Sequence, residues 1–381
     1  MTAALPLSLF ASERVYARIY PQAVAHNLAV LKRTLAGVDG NGAPRVWATV
    51  KADAYGHGVA QIMPGLSGAD GLAVMHLTDA HICRDAGWGG PILVMAGLAH
   101  ASEMALLDMP DLHLLLAREA QLHWLAAGPT LRAPPSIWLR FRGDIGMVGF
   151  DAAGYRAAYA QCAALASAGR IGAHIGHLNH FGSAERTDGI DSACAQFMNA
   201  THDLPGPRST SNSAAILRHT RHAAANTWVR PGLTLYGASP LADRSAADLG
   251  LRPAMSLHAR VLDIRMLAAG DRIGYGGNYQ ATSAVTVGLV NCGYADGYPR
   301  HAPAGTPVMV AGQLTRTLGT VTMDLMTVDL TGLNAAVGAP VVLWGDPALP
   351  VERVAAAMGT IAAELLTGLT RRVPLLAAPM S

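Results

Sequence analysis

The chain has 381 residues, 51% of them hydrophobic and 14% charged, with 28 Lys and Arg against 26 Asp and Glu. At roughly 100–200 residues per domain, this length suggests two domains, and so apolar a composition excludes disorder. Near-balanced charge without a long basic or acidic block leaves no electrostatic footprint for nucleic acid. No run of about 18 apolar residues is present to span a membrane, because Gly, Pro, His or charge interrupts each apolar stretch. Cys83, Cys162, Cys194 and Cys292 lie far apart and form no C-x-x-C, so a reducing compartment is the default. The N-terminal stretch lacks a basic region ahead of its short apolar segment. A cleaved signal peptide is therefore not expected, and a cytoplasmic location is.

In chain order, a short strand-like run at 14–20 precedes a helical pattern at 24–35. Strand-like runs follow at 45–50, 71–75, 91–95, 112–116, 137–141 and 173–178, with helical spacing again at 154–168. Further candidates are 209–216 and 228–236. Apolar runs alternating with helical patterns indicate βα units and a parallel sheet. Eight such runs are the number that closes a (β/α)8 barrel, although the pattern alone would also accommodate seven or nine. After Pro240 the texture changes to period-two alternation punctuated by Gly and Pro, at 256–266, 284–290, 307–310, 315–330 and 340–343. Helical spacing returns at 351–369. The expected architecture is an α/β barrel over 21–244 followed by a mainly-β domain over 245–381, which the segment 1–20 joins.

The strongest local signal is Val50-Lys51-Ala52-Asp53-Ala54-Tyr55-Gly56-His57-Gly58. A lysine ending a strand-like run points to the C-terminal mouth of a barrel, where its amine can condense with a carbonyl. The Tyr-Gly-His-Gly that follows lets the backbone turn closely around a bound group. His174, His177 and His180 recur at every third residue, a spacing that alternates faces on a strand, so no metal site is expected there.

That nine-residue string resembles the cofactor-lysine motif of the alanine racemase family, barrel-type enzymes that use pyridoxal phosphate (PLP). Ser211-Asn212-Ser213-Ala214-Ala215, Val229-Arg230-Pro231-Gly232-Leu233, Ile273-Gly274-Tyr275-Gly276, Gly293-Tyr294-Ala295-Asp296-Gly297-Tyr298 and Val321-Thr322-Met323-Asp324 follow in the family's order and approximate spacing. The resemblance implies a PLP-binding barrel, a C-terminal β domain and a head-to-tail homodimer acting on a small amino acid. Lys51 would hold PLP and serve as the base on one face of the substrate. Tyr275, from the neighbouring subunit, would serve on the other, and racemisation needs one proton-transfer group on each face. A phenol of ordinary pKa about 10 is a weak base, so positive charge on His180 and Arg230 nearby would help it. Arg230 would face the pyridine nitrogen, while Tyr55, Ser213, Gly232 and Leu233 would meet the phosphate. Tyr294, Met323 and Asp324 would contact substrate.

Residues 139–150 depart from the family's pattern. Arg140 occupies the position of a lysine that is carbamylated in many members, and Met147 that of an arginine contacting PLP and the substrate carboxylate. Losing such an arginine costs about 1.5–3 kcal/mol, the scale of a charged hydrogen bond, so a changed substrate preference is expected. Arg371 stands where a tyrosine near the phosphate is common. A decarboxylase on the same two-domain plan is the alternative, although its late catalytic cysteine has no counterpart after Cys292.

Overall fold

The computed structural model describes residues 15–38 and 43–379; the remainder of the expected 14–20 strand and of the segment 1–20 lies outside the described residues. Strand β1 (Tyr16–Ile19) leads into the helix Pro21–Ala36, opened by Pro21 in its first turn. Val24, Leu28, Leu31 and Leu35 form its buried stripe at helical spacing. Asn27 on this helix is buried; it donates to the Leu235 and Arg252 carbonyls and accepts from the Arg252 N–H. The helix is thereby tied to the segment that leaves the barrel.

Eight strands follow, β2 (Arg45–Thr49), β3 (Gly71–Val74), β4 (Ile92–Val94), β5 (Leu112–Leu116), β6 (Ser136–Arg140), β7 (Ile175–Leu178), β8 (Arg208–Ser209) and β9 (Trp228–Val229). All their pairings are parallel, in the order β9-β2-β3-β4-β5-β6-β7-β8. A parallel bridge between Asn212 and Arg230, just past β8 and β9, brings the two edges together into a ring. The stretches 209–216 and 228–236 are strand only at their starts. Asn212 accepts the Ala215 N–H at 3.0 Å and caps the helix Ser213–Arg218, while Pro231 removes a donor and a 3₁₀ turn takes Leu233–Tyr236.

The barrel interior is filled by Trp47, Ala73, Leu93, Leu115, Trp138, Leu178 and Trp228. Trp47 stacks on Trp228 with ring centroids 3.9 Å apart and meets Trp138 edge-on at 6.4 Å. A Cβ on Gly71 or Gly176 would overlap the rings of Trp47 and Trp138, so the two glycines make room for the bulky interior. His113 accepts a hydrogen bond from Trp138 Nε1 at 3.1 Å.

The β domain contains β10 (Met255–Leu267), β11 (Arg272–Ile273), β12 (Tyr279–Gln280), β13 (Val285–Val290), β14 (Pro307–Val310), β15 (Gln313–Leu318), β16 (Met326–Asp329), β17 (Pro340–Trp344) and β18 (Leu375–Ala377). The order β13-β16-β15-β14-β17-β10, with β13 also paired to β10, closes six antiparallel strands on themselves. β1 adds antiparallel to β10, with Tyr16 opposite His258, and β18 adds parallel to β1. The stretch 315–330 divides into β15 and β16, because Gly319 turns the chain at φ 61°. The helical stretch 351–369 is two helices, Val351–Ala357 and Ala362–Thr367, separated by Gly359 at φ 71°. Among the described residues no helix is long and apolar enough to cross a membrane.

Candidate active site

Lys51 begins a turn of unusual hand. Ala52, Asp53, Ala54 and Tyr55 have φ of 54°, 50°, 56° and 53°, one turn of left-handed helix. For L-residues this costs roughly 1–2 kcal/mol each. Its own hydrogen bonds hold it: Ala54 N–H to Val50 O at 2.9 Å, Gly56 N–H to Ala52 O at 2.9 Å and Gly58 N–H to Asp53 O at 3.0 Å. Asp53 Oδ1 also accepts the Val59 N–H at 2.9 Å. Gly56 closes the turn against the β domain, where a Cβ would overlap the Leu366 carbonyl. The Tyr55 ring lands on Tyr236 with centroids 4.8 Å apart, and the Tyr236 hydroxyl donates to Thr49 O at 2.9 Å. Buried His57 packs on the same Tyr236 ring at 4.5 Å.

At the C-terminal ends of the barrel strands, Lys51, Tyr55, His180, Ser213, Arg230, Gly232 and Leu233 line one cavity of about 220 Å³. These are all seven of the barrel residues expected to meet the cofactor. Thr49, Met95, Asn212, Ala214 and Pro240 also line it, and among the described residues the lining includes no carboxylate. Sequence reasoning missed Thr49 and Asn212 as lining residues. Thr49 precedes the lysine on its strand, and Asn212 sits inside the Ser-Asn-Ser string, so adjacency was the available signal.

The electrostatics of the cavity are those of uncompensated positive charge. Burial lowers the pKa of Lys51. Arg230 is 5% exposed and is held by Ser209 O at 2.7 Å and Ser209 Oγ at 2.6 Å through one terminal nitrogen. Its other terminal nitrogen donates to Asn179 O at 2.6 Å. Burial, then the nearby Arg140, bring its pKa down to about 9. Arg140, at the end of β6, is lowered to about 10 by burial, with Asp144 opposing. His180 does not carry the positive charge expected of it. Burial first, then Arg230, Arg140 and Lys51, push its pKa down to about 3, and Asn212 Nδ2 donates to its Nε2 at 3.4 Å. It is a neutral imidazole at neutral pH, leaving the arginines as the cations.

The other expected site residues do not line this cavity. Tyr275 stands 70% exposed on a 3₁₀ turn of the β domain between β11 and β12. Tyr294 and Met323, 37% and 52% exposed, occupy adjoining loops of the same domain. Asp324 accepts a hydrogen bond from Arg372 Nη1 at 2.8 Å. Met147 is 79% exposed, in the loop between β6 and the following helix. His177 faces away from the cavity, with Nδ1 2.8 Å from the Tyr155 hydroxyl.

The barrel end fits PLP on three counts. It offers an amine of lowered pKa that can react with an aldehyde. It offers a buried guanidinium that has no carboxylate partner and whose Nε enters none of the bonds above. Gly232 supplies the third, since a Cβ there would stand 2.5 Å from Tyr55 Oη, and its N–H meets Ser213 Oγ at 2.9 Å. Hydroxyls and a bare backbone thus converge where a phosphate would sit.

Two family descriptions match the chain: "Alanine racemase, N-terminal domain" over residues 19–240 and "Alanine racemase, C-terminal domain" over 254–377. The chain is 44% identical over 371 residues to an alanine racemase of Bordetella avium, covering 94% of this chain and 98% of that one. It is 42% identical over 367 residues to an alanine racemase of Acidovorax ebreus, covering 94% and 98%. Among solved structures, the biosynthetic alanine racemase from Pseudomonas aeruginosa superposes with a TM-score of 0.87 at 39% identity, covering 96% of this chain and all of that one. The alanine racemase from Acinetobacter baumannii gives 0.86 at 29% identity, with 96% and 100% covered. The two descriptions together span nearly the whole chain, and the chain belongs to the alanine racemase family.

Proposed function

We propose that this chain is a PLP-dependent racemase that interconverts L- and D-alanine. One observation carries this: the Lys51 amine and the Arg230 guanidinium face a single cavity that, among the described residues, no carboxylate lines. PLP, when bound there, supplies an electron sink that acidifies the Cα–H of an amino acid. Arg230 tunes that sink. With PLP bound, Arg230 would offer a hydrogen bond to the ring nitrogen without giving up its proton, which would keep the sink weak and limit side reactions. Neutral His180 adds no second charge beside it. Burial favours the uncharged amine of Lys51, the form that accepts a proton from Cα.

Inversion needs a second group on the opposite face from Lys51. We assign that role to Tyr275 of a second copy in a head-to-tail dimer, with Tyr294 and Met323 closing the substrate space. Their exposure on one domain supports this. The unit 21–244 then holds the cofactor, and 245–381 with 1–20 reaches across to the other chain. One proton leaves Cα on the Lys51 face and another arrives on the Tyr275 face, or the reverse, so atoms balance without a co-reactant.

The test is L-alanine in deuterated water with PLP-supplemented protein. Deuterium at Cα, inversion and a retained carboxylate are expected. Loss of carbon dioxide would establish the decarboxylase instead. Cys292 does not support that reading, since burial pushes its thiol well above the usual range.

A further inference from the structure

Tyr294 and Met323 sit on separate loops, and one arginine holds both. The Tyr294 N–H donates to Thr322 O at 3.0 Å and the Ala295 N–H to Met323 O at 2.9 Å. Gly293 presses so closely on the Met323 carbonyl that no Cβ would fit. Arg372 arrives from the segment after the helix Ala362–Thr367 and grips each loop by a carboxylate. Its Nε lies 3.2 Å from Asp296 Oδ1, and its Nη1 lies 2.8 Å from Asp324 Oδ1. Asp296 belongs to the turn of Tyr294, and Asp324 follows Met323.

The two arms differ in setting. Asp296 is 4% exposed, and its Oδ2 also accepts the Gly293 N–H at 3.0 Å. Asp324 is exposed. Burial raises the pKa of Asp296, and the Gly293 N–H and Arg372 oppose that rise. Thr370 seconds the grip, its hydroxyl donating to Ala295 O at 2.7 Å and its N–H to Asp296 O at 3.2 Å. Arg372 does not line the cofactor cavity of its own chain.

We propose that Arg372 is a positioning residue for the active site of the other subunit, fixing the Tyr294 and Met323 loops in the one arrangement that the facing cofactor cavity meets. This rests on the head-to-tail assembly proposed above. It makes a prediction that a merely stabilising ion pair would not: the residue acts in trans.

Heterodimers purified through two tags, loaded with PLP, read this out. Lys51→Ala silences the cavity of the chain that carries it. With Arg372→Met on that same chain, the surviving cavity faces ungripped loops. With Arg372→Met on the opposite chain, the surviving cavity faces gripped ones. Both dimers contain the same substitutions, so a general loss of stability affects them alike. The first arrangement is expected to show a kcat about 10-fold or more below the second, the scale of a misplaced contact. Equal rates would overturn the proposal. Asp324→Asn, which releases only the exposed arm, keeps the test open if Arg372→Met folds poorly; it should show the same polarity with a smaller loss. A control dimer with Lys51→Ala opposite Tyr275→Phe keeps one intact site under head-to-tail pairing. If it is inactive, the assembly itself is refuted. If it is active while the Arg372 arrangements match, only the role of Arg372 falls.

Discussion

His113 makes the floor of the barrel acid-labile. Its Nδ1 accepts from Trp138 Nε1 at 3.1 Å, and an indole N–H only donates, so Nδ1 carries no proton in the folded chain. Its ring meets Trp47 edge-on with centroids 5.0 Å apart. Burial pushes its pKa down to about 4, with Asp111 opposing. In the unfolded chain the group returns to about 6.5, so between these values the unfolded state binds more protons. The stability this group contributes is complete above pH 6.5 and is lost as pH falls towards 4. Integrated from pH 8 to pH 5, the loss is about 2 kcal/mol. His113→Gln retains an acceptor for the indole and removes the titrating ring. Urea unfolding of both proteins at pH 8 and pH 5, followed by far-UV circular dichroism, isolates the effect. The depressed His57, His180 and His258 titrate in both and cancel in the double difference. The parent should lose about 2 kcal/mol more than the variant on acidification. Equal losses would refute the assignment. Racemisation at pH 8 should be unaffected, because His113 enters β5 at the end away from the cavity.

Gly232→Ala should weaken PLP binding about 10-fold or more in an absorbance titration, since the new methyl meets Tyr55 Oη at 2.5 Å and the Tyr236 stack prevents Tyr55 from yielding. Ala52→Gly should stabilise the chain by about 0.5–1 kcal/mol in chemical denaturation, the reverse of the usual effect of glycine in a helix, because exposed Ala52 is left-handed. A loss of stability would show that the turn is not strained there. Met147→Arg should raise kcat/KM for alanine by up to about 10–100-fold, the worth of one charged hydrogen bond to the substrate carboxylate; an unchanged or lower value would mean that recognition no longer passes through that loop.

Strands β2 to β7 were legible because each is a short, mostly apolar and mostly buried run. β5 occupies the expected 112–116. Where a two-residue polar strand gives way to a capped helix, as β8 does before Asn212, too little strand is left to carry a pattern. β11, β12 and β18 are too short to carry periodicity. The cavity was legible as an ordered set of motifs. The neutrality of His180 was not, since it depends first on burial and then on Arg230, Arg140 and Lys51, brought together from distant parts of the chain. Nor was the left-handed turn: nothing in Lys-Ala-Asp-Ala-Tyr marks its hand, and no glycine stands at the four positions of positive φ.

Tyr16 pairs with His258, across the whole length of the barrel sequence. During synthesis, the first strand made must therefore wait for the tenth. At about 5–20 residues per second on the ribosome, that delay is about 10–50 s, during which the barrel can fold while β1 remains without its neighbour. A truncation that ends the chain after the barrel would leave β1 as an orphan edge, and one that begins after it would leave β10 unshielded. Each half would thus tend to self-associate when expressed alone.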